Sequence, residues 1–458
     1  MRSVGSPPRS RRFWPPEAPM GARSSARKDM VLCAFLCSTG YHSASWRRPG
    51  ADPMANIKPD YFCALARTAE RGDLDAVFLA DSMAVWSDVA VRPAGAVEPA
   101  VLAAAILQAT ERIGVIITQS TSYNEPFNVA RRLASLDHLG NGRIGWNIVT
   151  SATREAAQNF GLADIPDHDT RYRRANEFVR VCLALWNSWQ PDAIRADPNG
   201  IWADPAAITP IEHDGAFFRV RGPLDVPPSP QRVPLLVQAG SSEQGIALAS
   251  EFADLVFSVA STVEAAYAFR QRLLSRARAA DPRRRIRVLP GLIPVVGSTD
   301  EDAHQRLAAL DALVDPAPSV RQLERSLAIP PNTLAVDDPF DLELPSAAVN
   351  SGNQTYYQVI RDMALARCYT VGQVARLLAT SRGHRLVIGS PTTVATAMID
   401  WVRRGAADGY VVMPAALPSD LNRFVDEVVP LVRSAGYHGM ATSEKPLAQR
   451  FRTDRTPR

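Results

Sequence analysis

Hydroxyl and amide side chains follow two apolar runs in the middle of the chain. The run 113–117 is rich in β-branched residues and leads into Thr118 and Ser120, while the run 144–149 contains Asn147 near its end. Short apolar runs of this kind predict buried strands. Uncharged hydroxyls and amides both donate and accept hydrogen bonds. This chemistry suits a heteroaromatic ring, whereas a metal centre or glycoside hydrolysis would require clustered carboxylates or histidines.

The segment GSSEQG at 240–245 stands between a predicted strand and a predicted helix. The absence of a side chain at Gly240 allows close backbone approach, and Ser241 and Ser242 offer donors to an anion at the helix N-terminus. The alternative is that Ser242 only caps the helix, which is a common arrangement. The spacing leaves both interpretations open.

Two histidine positions are further candidates for a site. His168 and Tyr172 are one helical turn apart and precede a long predicted helix, so both could face one cavity. The alternative is that His168 caps that helix and Tyr172 packs in the core. His42 lies in a polar loop after the first predicted strand, where it has either a structural or a catalytic role.

Eight strand candidates, each followed by a helical pattern, must position these residues. The repeated order of strand and helix predicts an α/β fold, a single (β/α)8 TIM barrel, with insertions after strands four and seven. In such a barrel the site residues follow the C-terminal ends of the strands. Asp81 follows the second strand and joins the candidates on this ground. The predicted strands lie near residues 33, 78, 115, 146, 236, 256, 291 and 411.

Composition narrows the possible partners. The chain has 458 residues and a formal net charge of +4. Residues 1–30 hold seven basic and two acidic side chains, which leaves 44 basic and 45 acidic ones elsewhere. The chain outside residues 1–30 is nearly neutral, which does not suggest nucleic-acid binding. No apolar run reaches the length of about 18 residues that a membrane span needs. Five scattered cysteines without a CxxC motif favour a reducing compartment, and we expect a cytoplasmic protein.

Taken together, these segments resemble the bacterial-luciferase-like flavin monooxygenases. The resemblance is to the subgroup of nitrilotriacetate monooxygenase component A, dibenzothiophene sulfone monooxygenase and long-chain alkane monooxygenase, and it covers roughly residues 31–440. The matching segments are FLADS (78–82), TERIGVIITQSTSYNEPFNVARRLASLDHLGNGRIGWNIVTS (110–151), NFGL (159–162), HDTRYRRANEFV (168–179), LWNSW (185–189), FFRVRGPLDVPPSPQ (217–231), PLLVQAGSSEQG (234–245), LPGLIPVVG (289–297) and AADGYVVMP (406–414).

The resemblance implies a luciferase-like barrel that uses FMN as FMNH2, supplied by a separate NAD(P)H-dependent flavin reductase. Oxygen would add to the reduced flavin, and the resulting hydroperoxide would transfer one oxygen atom of O2 to a small organic substrate. His42 matches a family histidine near the mouth and is the implied catalytic residue. The implied cofactor-binding positions are Asp81, Thr118, Ser120, Asn147, His168, Tyr172, Ser241 and Ser242; no metal site is expected.

The domain organisation can also be predicted, and alternative functions stay open. We expect a disordered basic tail over 1–28, one barrel domain over 29–440 with a lid or substrate region at about 300–385, and a flexible basic tail over 441–458. A homo-oligomer, either a dimer or a tetramer, is expected, with no nucleic-acid or membrane partner. Two alternatives stay open: hydride transfer with the deazaflavin coenzyme F420, and a flavin-binding barrel without catalysis.

Overall fold

Eight parallel strands close into a barrel in the computed structural model of the chain. The structure describes residues 30–85, 89–93, 95–327, 329–340, 361, 364–365, 368–439 and 445–452. The strand order around the barrel is β1, β2, β3, β4, β7, β8, β9, β11 and back to β1, and every neighbouring pair is parallel. The strands are β1 Val31–Phe35, β2 Ala76–Leu79, β3 Gly114–Ser120, β4 Ile144–Val149, β5 His213–Asp214, β6 Arg219–Val220, β7 Leu235–Ala239, β8 Leu255–Ser258, β9 Arg287–Val296, β10 Arg385–Gly389 and β11 Gly409–Val412.

Helices surround the barrel and complete the outer layer. Their buried apolar residues recur at helical spacing, as Val129, Leu133 and Leu136 do in α3, so one stripe of each helix packs on the strands. The helices are α1 Pro59–Arg71, α2 Pro99–Ala109, α3 Pro126–Leu139, α4 Arg154–Asn159, α5 His168–Trp186, α6 Glu243–Phe252, α7 Val263–Ala280, α8 Asp300–Asp311, α9 Pro316–Ser326, α10 Val371–Thr380, α11 Pro391–Arg403, α12 Ser419–Arg423, α13 Val429–Ser434 and α14 Leu447–Phe451.

The strand register decides which side chains face the barrel interior. Thr118 pairs with Asn147, and Asn147 pairs with Val237, whose side chain belongs to the inner apolar cluster. Successive side chains of a strand alternate between its two faces. Thr118 and Asn147 therefore face inward near the C-terminal ends of β3 and β4. Gln119 and Gln238, one position further along their strands, face outward.

The insertions after the fourth and seventh barrel strands are confirmed, but the second one contains an element that the sequence did not predict. The sequence predicts no strand between the one near residue 291 and the one near residue 411. Instead, β10 pairs in parallel with the second half of β9, from Leu292 to Val296. At ten residues, β9 is long enough to pair with β8 and β11 at its start and with β10 at its end.

The C-terminal segment differs from the flexible tail that the sequence predicts. Helix α14 closes the N-terminal end of the barrel, where Leu447 is fully buried against the start of β3 and its N–H donates to the carbonyl of Gly142 at 2.7 Å. Arg452 then pairs with Asp254, just before β8. The expectation of a flexible tail was therefore wrong for residues 445–452, because their apolar side chains pack against the N-terminal end of the barrel. Residues 441–444 and 453–458 and the predicted basic tail at 1–28 lie outside the described residues.

Within the described ranges, no helix combines the length and the apolar character that a membrane crossing would need.

Candidate active site

Polar side chains form one side of the barrel mouth. Asn147 Nδ2 donates to Thr118 Oγ1 at 2.9 Å, and both side chains are buried. Asn147 Oδ1 is also buried and has no hydrogen-bond partner among the described residues. Because an unpaired buried acceptor is costly, this oxygen is suited to a ligand that donates an N–H group.

Ser120 connects the two loops that follow β3 and β4. Its hydroxyl accepts from Ser151 Oγ at 2.8 Å and from the Ser122 N–H at 3.1 Å. The carbonyl of Ser151 in turn accepts from Arg171 Nη1 at 3.1 Å, so helix α5 is attached to the same rim. Ser120 therefore fixes the geometry of the rim, and its side chain is buried rather than open to solvent.

Aromatic rings form the opposite side of the mouth. Their centroids are close: Phe35 lies 5.8 Å from Phe78 and 6.4 Å from Phe257, and Tyr41 lies 5.9 Å from Phe35. These rings come from β1, β2, β8 and the loop after β1. The mouth thus has an apolar aromatic side and a polar, uncharged side, which matches a flat ring system with a polar edge.

His384 completes the aromatic side, although the sequence pattern around it did not identify it as a candidate. Its ring stacks on Phe257 at 5.4 Å with an interplanar angle of 11° and meets the edge of Tyr41 at 5.8 Å. Burial, assisted by the charge of Arg382, lowers the pKa of His384 to about 3, so the ring is neutral at physiological pH. Gly291 in β9 makes room for this ring, because a Cβ there would overlap its Nδ1.

A second polar group lies where α6 begins, beside the ends of β4 and β7. Ser242 is the N-cap of α6, and its Oγ accepts from the Gly245 N–H at 3.1 Å. Tyr172 from α5 places its hydroxyl against this turn: a Cβ added to Gly245 would lie 3.2 Å from Tyr172 Oη, and one added to Gly240 would lie 3.4 Å from it. The helix N-terminus and the Tyr172 hydroxyl thus form a cradle of hydrogen-bond donors around Gly240 and Gly245, and such a donor set suits an anion.

Three of the predicted cofactor-binding residues, His168, Tyr172 and Ser241, lie at or next to this cradle in the structure. The His168 and Tyr172 rings are 4.8 Å apart, so both share one surface of α5. Asp167, rather than His168, caps α5, since its Oδ1 accepts from the Thr170 N–H at 2.9 Å. Partial burial and the nearby Arg171 lower the pKa of His168. The serine neighbouring the N-cap, Ser241, is half-buried.

Asp81 lies in different surroundings. It lines a cleft of about 1190 Å³ together with the outward-facing Gln119 and residues of α2 and α3. Burial and the nearby Glu98 raise the pKa of its carboxyl group. Asp81 therefore faces a cleft at the outer helical layer, and the structure does not show it joined to the network of Thr118 and Asn147.

His42 is enclosed by protein. Its side chain is 0% exposed, and its Nε2 lies 3.0 Å from Asp311 Oδ1 at the end of α8. The N–H of Ala44 donates to His42 Nδ1 at 3.2 Å, so the neutral ring carries its proton on Nε2 and donates it to Asp311. Thr380 Oγ1 donates to the same carboxylate oxygen at 2.9 Å. His42 thus joins the loop after β1 to α8 and α10, and both of its nitrogens have partners.

The closed eight-stranded barrel and its uncharged rim define a cofactor-binding (β/α)8 protein. The model of the family described as luciferase-like monooxygenase matches residues 39–408. The chain therefore belongs to this family, and it is a flavin-dependent monooxygenase that incorporates oxygen from O2.

Several relatives and solved structures resemble most of the chain. N-acetyl-S-(2-succino)cysteine monooxygenase of Bacillus subtilis is 39% identical, covering 90% of this chain and 94% of the relative. Nitrilotriacetate monooxygenase component A of Aminobacter aminovorans is 37% identical, covering 90% and 93%. The structure of EDTA monooxygenase from Chelativorans sp. BNC1 has a TM-score of 0.79 at 36% identity and covers 92% of this chain and 98% of that chain.

Deazaflavin-dependent enzymes resemble the chain only in fold. An F420-dependent secondary alcohol dehydrogenase has a TM-score of 0.56 at 16% identity.

Proposed function

We propose that the flavin of this monooxygenase is FMN, bound in its reduced form, with its phosphate in the cradle at the start of α6. The observation that carries the proposal is the position of the Tyr172 hydroxyl against Gly240 and Gly245, at a helix N-terminus. A phosphate dianion suits this place because hydroxyl and backbone N–H donors converge there with the positive end of the helix dipole. Ser241 and Ser242 would add hydroxyl donors, and His168 would flank the phosphate.

The isoalloxazine ring would lie in the barrel mouth. Strand β4, which ends there, neighbours strand β7, which leads into the cradle. Thr118 and Asn147 would contact its polar edge, with Asn147 Oδ1 accepting from a ring N–H. The aromatic side of the mouth would keep water away from the reacting face. When bound, the reduced flavin supplies the electrons that activate oxygen, while the chain supplies binding, orientation and exclusion of water. Ser120 keeps the rim loops in place, and Asp81 remains a proposed cofactor contact.

For His42 we propose a positioning role. Because both ring nitrogens already have protein partners, its hydrogen bond to Asp311 acts on the substrate region through α8 and α10. This revises the implied direct part in the reaction to an indirect one.

We further propose that a separate flavin reductase delivers the reduced FMN and that the substrate is a small carboxylate-bearing molecule. Support comes from relatives that are named for nitrilotriacetate, for EDTA and for N-acetyl-S-(2-succino)cysteine, which all carry several carboxylates. A homo-oligomer, dimer or tetramer, stays a prediction.

Phosphate recognition can be separated from ring recognition by comparing FMN with riboflavin. Replacing Tyr172 with Phe removes one hydrogen bond to a charged group, which is worth about 1.5–3 kcal/mol and corresponds to a loss of FMN affinity of roughly 10- to 100-fold. Riboflavin has no phosphate, so its affinity should stay within about twofold. Fluorescence titration under reducing and oxidising conditions measures both ligands.

The control for this experiment is Tyr267→Phe, which removes the hydroxyl of an exposed tyrosine in α7. It should change neither affinity. If Tyr172→Phe weakens FMN and riboflavin equally, Tyr172 contacts the ring or the fold, and the phosphate assignment fails. The activity itself is tested by oxygen-dependent turnover with an added flavin reductase.

A further inference from the structure

A strained turn between α10 and β10 brings two side chains onto Tyr41. Arg382 has a φ of +46°, which a residue with a side chain rarely adopts, and Gly383 follows with a φ of +81°. The Arg382 guanidinium lies 4.5 Å from the centroid of the Tyr41 ring, and His384 meets the same ring at 5.8 Å. Strained backbone of this kind is concentrated at functional sites.

This turn reaches the mouth of the barrel. His384 stacks on Phe257, which belongs to the aromatic side of the mouth and is half-buried. Arg382 is also half-buried, and its guanidinium covers the ring of Tyr41. The turn therefore lies at the aromatic side of the mouth, directly before β10.

Two arginines place positive charge close to Tyr41 on this side of the mouth. The charges of Arg382 and Arg92 both lower the pKa of the Tyr41 phenol, against a larger rise caused by burial. Trp46 Nε1 donates to the carbonyl of Val91 at 2.9 Å, which fixes the segment that carries Arg92. His384 contributes no charge, because burial keeps it neutral. Two guanidinium groups near an aromatic ring are suited to binding carboxylates.

We propose that Arg382, with the charge of Arg92 also acting near Tyr41, binds a carboxylate of the substrate beside Tyr41, and that this turn selects anionic substrates. The inference rests on the proposed function, since it places the substrate next to the flavin. The Tyr41 ring supports the guanidinium, and the His384 ring meets the edge of Tyr41 and fixes its position.

The test compares a charged probe with a neutral one of similar shape. Nitrilotriacetate and N-acetyl-S-(2-succino)cysteine are the charged probes, and nitrilotriacetamide is the neutral probe. Binding to the FMN-loaded protein is measured by calorimetry, and KM and kcat are measured for any probe that turns over. Arg382→Gln should weaken the charged probes by about 10- to 100-fold, the range for a lost charge-assisted contact, and leave the neutral probe unchanged.

Two further variants keep the test decisive. Arg382→Lys retains the charge but loses the planar fork, so we expect an intermediate loss of the charged probes; it also serves if Arg382→Gln fails to fold. Arg376→Gln is the matched control, because Arg376 is exposed in α10 and its replacement should change nothing.

Two results would overturn the proposal: failure of both carboxylate probes to bind the wild-type protein, or equal losses for charged and neutral probes in Arg382→Gln. The FMN affinity, titrated separately in every variant, distinguishes this failure from a failure of the proposed function. Normal FMN binding together with no charge discrimination would reject only the role of Arg382.

Discussion

An ion pair joins the C-terminal helix to the N-terminal end of the barrel. This ion pair gives a quantitative prediction. Asp254 is buried, with 5% of its side chain exposed, and accepts from Arg452 Nη2 at 2.6 Å and from the Leu236 N–H at 3.0 Å. Arg452 is 20% exposed and also donates to the carbonyls of Val233 and Pro234 at 2.8 and 2.7 Å. One side chain thus joins α14 to two strands.

Replacing Arg452 with Met should lower the free energy of unfolding by about 2–4 kcal/mol. Removing one member of a buried pair typically costs about 3–5 kcal/mol, because the other charge stays buried without its partner. We lower this range because Arg452 is partly exposed and because Arg284 still acts on the carboxylate. The assay is equilibrium unfolding in urea, read by tryptophan fluorescence.

The effect should depend on pH in a defined direction. Burial would raise the pKa of Asp254, but Arg452 and the hydrogen bonds outweigh it, and the pKa in the folded protein lies below the usual value. The stabilisation is therefore fully present above the pKa of the unfolded chain, about 3.9, and is lost as the pH falls through the lower folded value. The difference between wild type and Arg452→Met should shrink below about pH 4.

The matched control is Arg219→Met, which removes an ion pair of the same type on the surface. Arg219 and Asp214 are 84% and 74% exposed, so their loss should change stability by less than about 0.5 kcal/mol. If Arg452→Met also changes stability by so little, or if the difference grows in acid, helix α14 does not hold the N-terminal end of the barrel as described.

Two further predictions concern His42 and His384. Asp311→Asn should lower the free energy of unfolding, measured in urea, by about 1.5–3 kcal/mol, because it weakens a hydrogen bond to a charged acceptor. A kcat that falls more than about 100-fold with unchanged stability would instead place His42 in the reaction. Gly291→Ala should cost about 1–3 kcal/mol in the same measurement, because its Cβ overlaps the His384 ring. Adding His384→Ala should restore most of that loss, and a failure to do so would mean that the strand itself cannot accept a side chain there.

The barrel was predictable because its strands are short apolar runs that alternate with helical patterns. All eight strands near the predicted positions are present, including those that carry Thr118 and Asn147. Strand β10 was missed because it stands outside the eightfold alternation and owes its pairing to the unusual length of β9. Its absence from the prediction explains why His384, the residue just before it, was not recognised.

The sequence pattern predicted the part of the site that lies at strand ends and helix starts. The spacing of GSSEQG marked both a helix cap and an anion site, and the structure shows that Ser242 caps the helix while Tyr172 adds a hydroxyl beside it. Contacts between distant segments could not be obtained from spacing. The partnership of His42 with Asp311 joins residues 269 positions apart, and the pattern around His42 alone could not distinguish a catalytic from a structural histidine.

The most direct test of the central claim is a crystal structure of the protein with FMN. The account predicts a phosphate oxygen within hydrogen-bond distance of Tyr172 Oη, about 2.5–3.0 Å, with the ring over Thr118 and Asn147 in the barrel mouth. A phosphate bound away from the start of α6, or a ring outside the mouth, would contradict it.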